Sequence, residues 1–172
     1  MSELSFVLTK QKEMESEGRE LLVAKQYAAA EIMLLKALSA GDDPITRHFV
    51  YNHLIELYYK LRDERTDALE KCVIYCRVDI DSLPCFLQDY EATNDVKPHC
   101  PSIERLAIIY EKAGEIQKAI DLCRYAINLG LEEMWDSYNS RYGTNKGYKA
   151  RIAKLEKKLR RQGEPEVRDK EK

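Results

Sequence analysis

The sequence predicts an all-α protein: an α-α superhelix, or solenoid, of three helical hairpins closed by a C-terminal capping helix. Three observations point there. Glycine (7) and proline (5) are scarce in 172 residues while 34% of the side chains are charged, a balance that suits helices with solvated outer faces better than a sheet full of tight turns. An apolar content of 44% supplies a core, and the length suits one domain. Finally, three segments share one pattern of small, aromatic and turn positions, which is how a structure built from repeating units shows in sequence.

The repeats fall at about 10–40, 47–78 and 101–130. In the third, Ala107, Tyr110 and Gly114 are followed by Ala119, Cys123 and Ala126, two helical stripes broken by a glycine turn. The first has the same steps at Gly18, Leu21, Lys25, Ala30, Leu34 and Ala37, with Tyr27 just after the turn. The middle repeat supplies Ile55, Tyr58, Ala68, Cys72 and Tyr75, and needs one extra residue in the turn around Asp63–Thr66 to keep step. A small side chain on each first helix and an alanine on each second let two antiparallel helices approach closely, while tyrosine and leucine fill the space between hairpins.

An insertion of about 79–100 separates the second and third repeats. Ser82 followed by Pro84 predicts a helix start, hence a short extra helix near Pro84–Ala92 and then a Pro-bounded loop through Pro98 and Pro101. After Gly130 comes an irregular stretch with Trp135, Tyr138, Tyr142 and a Gly143–Gly147 turn. Residues 148–161 then read as a capping helix with Tyr148, Ile152, Leu155 and Leu159 on one face and charge on the other. The predicted domain is 1–161, and the polar, charged tail 162–172 is expected to be disordered.

The pattern over about Met14–Gly130 resembles the tetratricopeptide repeat (TPR), whose consensus has a small residue, an aromatic three later, a glycine turn and spaced alanines. The chain departs from it at Tyr75, where a small residue is usual, at Met14 and Ile103, which stand in the tryptophan position, and in lacking the closing proline. The segments Ser102–Lys112, Ala119–Ile120 and Gly147–Glu156 also look like a group of uncharacterised bacterial repeat proteins, a likeness that implies no chemistry. The TPR resemblance implies a concave groove lined by the first helix of each hairpin and taking an extended peptide or a helix. Carried over by position, that face holds Lys12, Glu15, Arg19 and Leu22, then Asn52, Glu56, Tyr59 and Lys60, then Glu104, Ile108, Glu111 and Lys112. Some members of the family grip a terminal carboxylate with lysines and asparagines; the charges here are balanced and do not reproduce that clamp.

Catalysis is not expected. His48 and His53 lie five apart, on different faces of one helix, and His99 is alone in the insertion. Cys72, Cys76, Cys85, His99 and Cys100 gather around the insertion, yet no CxxC pair is present and Cys72 stands where Leu34 and Cys123 stand, so packing is the expected role and a metal site the alternative. Phosphate-loop, dinucleotide and HExxH motifs are missing from the sequence, so it predicts no catalytic residue, cofactor or metal. The five cysteines, an odd number set largely in helical stripes, predict free thiols in a reducing compartment.

The expected function is therefore that of a non-catalytic protein- or peptide-binding adaptor. Two alternatives remain. Lys149, Arg151, Lys154, Lys157, Lys158, Arg160 and Arg161 against Glu156 alone leave the last helix at +6, and a chain total of −2 then leaves −8 for the rest. Such a helix suits nucleic-acid phosphate or an acidic surface, though basic residues near a helix C-terminus also complement its dipole. Apolar residues at the ends of the array, Phe6, Leu8, Trp135 and Tyr138, suit a homodimer. Residues 1–12 have neither a leading basic run nor a long apolar stretch, so no membrane association is expected and the predicted location is cytoplasmic.

Overall fold

The structure is a computed structural model that describes residues 3–95, 98–131 and 147–163, with side chains over 9–95, 98–131 and 147–161. Within these residues all regular structure is helical: α1 (Glu3–Val23), α2 (Tyr27–Ala40), α3 (Pro44–Leu61), α4 (Ala68–Glu91), α5 (Pro101–Lys112), α6 (Ile116–Asn128) and α7 (Gly147–Gly163). The aromatic stretch 132–146 and the tail 164–172 lie outside the described residues.

Two helices, α1 and α5, end on the same pair of hydrogen bonds. At the end of α1, the Gln26 N–H donates to Leu21 O at 2.9 Å and the Lys25 N–H to Leu22 O at 3.0 Å. At the end of α5 the Glu115 N–H donates to Tyr110 O at 2.9 Å and the Gly114 N–H to Glu111 O at 3.3 Å. This is the six-to-one and five-to-two pairing that closes a helix on a left-handed residue, Lys25 at φ +60° in one case and Gly114 at φ +80° in the other. Lys25 and Gly114 are the pair that sequence spacing aligns. The same closure ends α6 on Gly130 at φ +71°.

The middle hairpin turns differently, and the extra residue is the reason. Leu61 O accepts from both Glu64 N–H (3.0 Å) and Arg65 N–H (2.8 Å), and Arg62 keeps right-handed dihedrals. The longer turn places Arg65 where it pairs with Glu31 of α2 and with Asp67.

The expected break at Ser82–Pro84 does not occur. α4 runs unbroken for 24 residues with Pro84 inside it, and Ser82 donates to Asp79 O at 2.8 Å instead of capping a new helix. The buried stripe Ala68, Cys72, Cys76, Ile80, Leu83 and Leu87 continues without a phase change, with Phe86 beside it. That shared face outweighs the roughly 3 kcal/mol that a proline costs in a helix interior, and exposure of Pro84 confines the damage to the solvent side.

The chain divides into two compact units, residues 1–105 and 106–172. In the first, α1 packs on α2, α3 on α4, and α3 also touches α1 and α2. Gly18 permits the first contact: a Cβ there would lie 2.7 Å from Leu34 Cγ and Cδ2. Ala30, Leu34 and Ala37 of α2 are fully buried. On α4 Ala68 and Cys72 match the first two, but the next buried small residue is Cys76, one position after Tyr75. Tyr75 instead stacks on Tyr58 with ring centroids 5.6 Å apart. The Tyr58 hydroxyl donates to Glu31 at 2.7 Å, so α2, α3, α4 and the Arg65 turn meet around one carboxylate.

Asp43 caps α3 by accepting from the Thr46 N–H at 2.8 Å, with Pro44 in the first helical position. Buried Gln11 donates to Gly41 O at 2.8 Å and anchors the preceding turn to α1. In the second unit, Ile116, Ala119, Ile120, Cys123 and Ala126 of α6 are buried, and α7 packs on α6. Of the predicted apolar face of α7, Tyr148 and Leu155 are buried and Ile152 is half-buried, whereas Leu159, near the end of the helix, is exposed.

Candidate functional site

Lys12, Arg19, Glu56 and Lys60 are exposed on α1 and α3, with Glu15 and Tyr59 half-buried beside them. The His53 Nε2–H donates to Glu15 Oε1 at 2.8 Å, a bond that ties the two helices together at this face. Glu56 pairs with Lys60 at 2.8 Å one turn on, and the pairing holds the Lys60 ammonium above its usual pKa. Both partners are half exposed, so the pair adds little to stability.

The other predicted positions divide by environment. Leu22 is 2% exposed and belongs to the core. Asn52 turns its amide inward to His48 at 2.9 Å. Tyr59 carries guanidinium groups on its ring, Arg105 at 3.9 Å and Arg62 at 4.3 Å from the centroid, each contact worth about 0.5–1 kcal/mol near the surface. Its ring is therefore already stacked. Glu104 lies 3.9 Å from His99 Nε2. Ile108, Glu111 and Lys112 fall in the second unit, where Glu111 accepts from Arg151 at 3.0 Å and from Lys158 at 3.5 Å. Glu111 thus anchors α7.

The most developed polar cluster of the first unit is one that sequence spacing does not single out. His48 Nδ1 is 2.7 Å from Asp79 Oδ1, its Nε2 is 2.9 Å from Asn52 Nδ2, and its ring lies 3.7 Å from Phe86 in a near-parallel stack. His48 is 1% exposed and Asp79 fully buried. With the Asn52 amide donating to Nε2, the Nδ1–H donates to the Asp79 carboxylate. Both ring nitrogens are engaged and the group is sealed from water, so it fastens α3 to α4 instead of offering a base to a substrate. Breaking such a buried pair from one side costs about 3–5 kcal/mol. Burial pushes the His99 imidazole down, and burial together with the Asp79 carboxylate pushes the Cys100 thiol up, so the 98–100 segment lies near this lock. The sequence signal is a carboxylate at a core-facing position of α4 matched by a histidine at a core-facing position of α3; it becomes legible once α4 is known to continue past 79.

On α7, Lys149, Lys154, Lys157, Lys158, Arg160 and Arg161 are exposed and Arg151 is half-buried. Arg124 of α6 holds the helix's one carboxylate, Glu156, at 3.2 Å. A shallow depression of about 340 Å³ lies beside that pair, lined by Gln117, Ile120, Leu159 and Arg160.

All five cysteines are free thiols, Cys85 exposed and Cys72, Cys76, Cys100 and Cys123 buried. The hydrogen bond that the Cys76 thiol donates to Cys72, together with burial, pushes the Cys76 thiol well up. Among the described residues no three His, Cys, Asp or Glu side chains are grouped to hold a metal ion, and no helix is long and apolar enough to cross a membrane. The side chains of Phe6, Leu8, Trp135 and Tyr138 lie outside the described residues. Comparison with protein-family models, with curated proteins and with solved structures found no match.

Proposed function

We propose that the chain is a non-catalytic scaffold of the TPR-like kind, which binds a protein or peptide along the exposed face of α1 and α3. The observation that carries this reading is the packing of two successive helix pairs in the first unit, α1 on α2 and α3 on α4, with α3 also against α1 and α2. Helix pairs packed in this way leave one face of each first helix uncovered, and a partner can run across them. The charges there alternate, with Lys12, Arg19 and Lys60 set among Glu15 and Glu56, which suits a mixed-charge partner. The Glu15–His53 bond keeps the two helices in fixed register before a partner arrives, which lowers the ordering cost of binding. In this reading the protein works in the cytoplasm.

A photo-crosslinking amino acid placed at Arg19 or Lys60 tests the face. Irradiation in lysate is expected to trap one discrete protein from those positions and not from Glu70 on α4. Equal trapping from Glu70 moves the site off α1 and α3.

A further inference from the structure

The exposed side of α7 carries a basic stripe with the spacing of a helix face. Lys154, Lys157, Lys158 and Arg161 recur at i, i+3, i+4 and i+7 and are all exposed. The opposite stripe, Tyr148, Ile152 and Leu155, is buried or half-buried against the rest of the second unit. Glu156 is turned to Arg124, and Arg151 and the half-exposed Lys158 bond Glu111 at the edge of the stripe. From these observations we propose that the exposed stripe of α7 binds the phosphate backbone of double-stranded nucleic acid without reading sequence.

The physics separates this partner from the two other acidic surfaces available. A protein partner gains most of its affinity from a desolvated apolar or aromatic anchor, and exposed charge pairs are worth about 0–1 kcal/mol each. Beside the stripe stand the small Ala150 and Ala153 and one exposed apolar side chain, Leu159, too little for a desolvated anchor. An anionic membrane captures a helix that turns a broad apolar face outward together with its cations, and here Tyr148, Ile152 and Leu155 face the other way. A duplex needs neither: it releases condensed counterions to a row of cations. The stripe from Lys154 to Arg161 rises about 10 Å, and a duplex presents one charge per roughly 1.7 Å of axis, so three to four contacts fit. The acidic balance of the remaining chain does not cancel the stripe at contact range, because charges more than about 8 Å apart are screened at physiological salt.

The test is fluorescence polarisation of the full chain with a labelled mixed-sequence duplex of about 20 base pairs, titrated between about 50 and 200 mM salt. The expected plot of log K against log salt has a slope of about −3, an affinity loss near 60-fold over that range. Lys154→Ala and Lys157→Ala should each remove about 0.9 from the slope while leaving the helical circular-dichroism signal unchanged. The proposal is overturned by any of three results: no duplex binding at about 50 mM salt, an unchanged slope in Lys154→Ala/Lys157→Ala/Arg161→Ala, or equal or tighter binding of polyglutamate or of phosphatidylserine vesicles. The variants lie on α7 and the probe is a duplex, so the outcome is independent of the protein-binding face on α1 and α3.

Discussion

Lys25 occupies the left-handed region at φ +60°, a conformation that costs a side chain bearing Cβ roughly 1–2 kcal/mol. Gly114 fills the same step at φ +80° with nothing within 4 Å of a would-be Cβ, so the demand there is purely conformational. Lys25→Gly should therefore raise unfolding free energy by about 0.5–1 kcal/mol, and Gly114→Ala should lower it by about 1 kcal/mol, both read from urea melts. A loss on Lys25→Gly would mean that the two turns are not equivalent. Glu31 makes the second residue-scale case. Its carboxyl is held below the ordinary 4.5 chiefly by the Arg65 hydrogen bond, against a smaller opposing effect of burial. A lowered folded-state pKa stabilises the fold above the unfolded value and is lost as pH falls through the folded one. Glu31→Gln should thus destabilise most at neutral pH, and its gap from the parent should narrow as pH falls below the ordinary carboxyl value of 4.5. A gap that is constant with pH would rule out the ion pair as its source.

Among the elements, α4 is where the sequence misleads. Ser82 and Pro84 are strong local signals for a helix start, but local signals yield where a long apolar stripe keeps its phase, as Cys76, Ile80, Leu83 and Leu87 do. Pro84→Ala should restore a backbone donor to an intact helix and raise stability by about 1–3 kcal/mol in the same melts. If a helix began at Pro84, as the local signals suggest, the substitution would be neutral or harmful. The hairpin turns were legible for a reason that also explains the miss. Register survives in buried small positions such as Gly18, Ala30 and Ala119, whose size is fixed by close packing. A partner in space, such as Asp79 for His48, depends on which helix lies opposite, and one sequence does not record that. Tyr59 shows the same limit: its place on a helix face follows from spacing, but the arginines stacked on it do not.

For the whole molecule, burial and function make separate claims. Burial of four thiols and exposure of Cys85 predict that the native chain reacts with one equivalent of a thiol reagent quickly, and with the other four only on unfolding. Two or more fast equivalents would show a looser fold than the packing described. The central claim is that the two packed helix pairs of the first unit present a binding face on α1 and α3, and it is tested most directly by the affinity of the crosslinked partner for a charge-reversed face. Arg19→Glu/Lys60→Glu changes only exposed side chains, so its melting curve should stay close to the parent's while partner affinity falls at least tenfold, about 1.4 kcal/mol. Unchanged affinity in a folded variant would contradict the account.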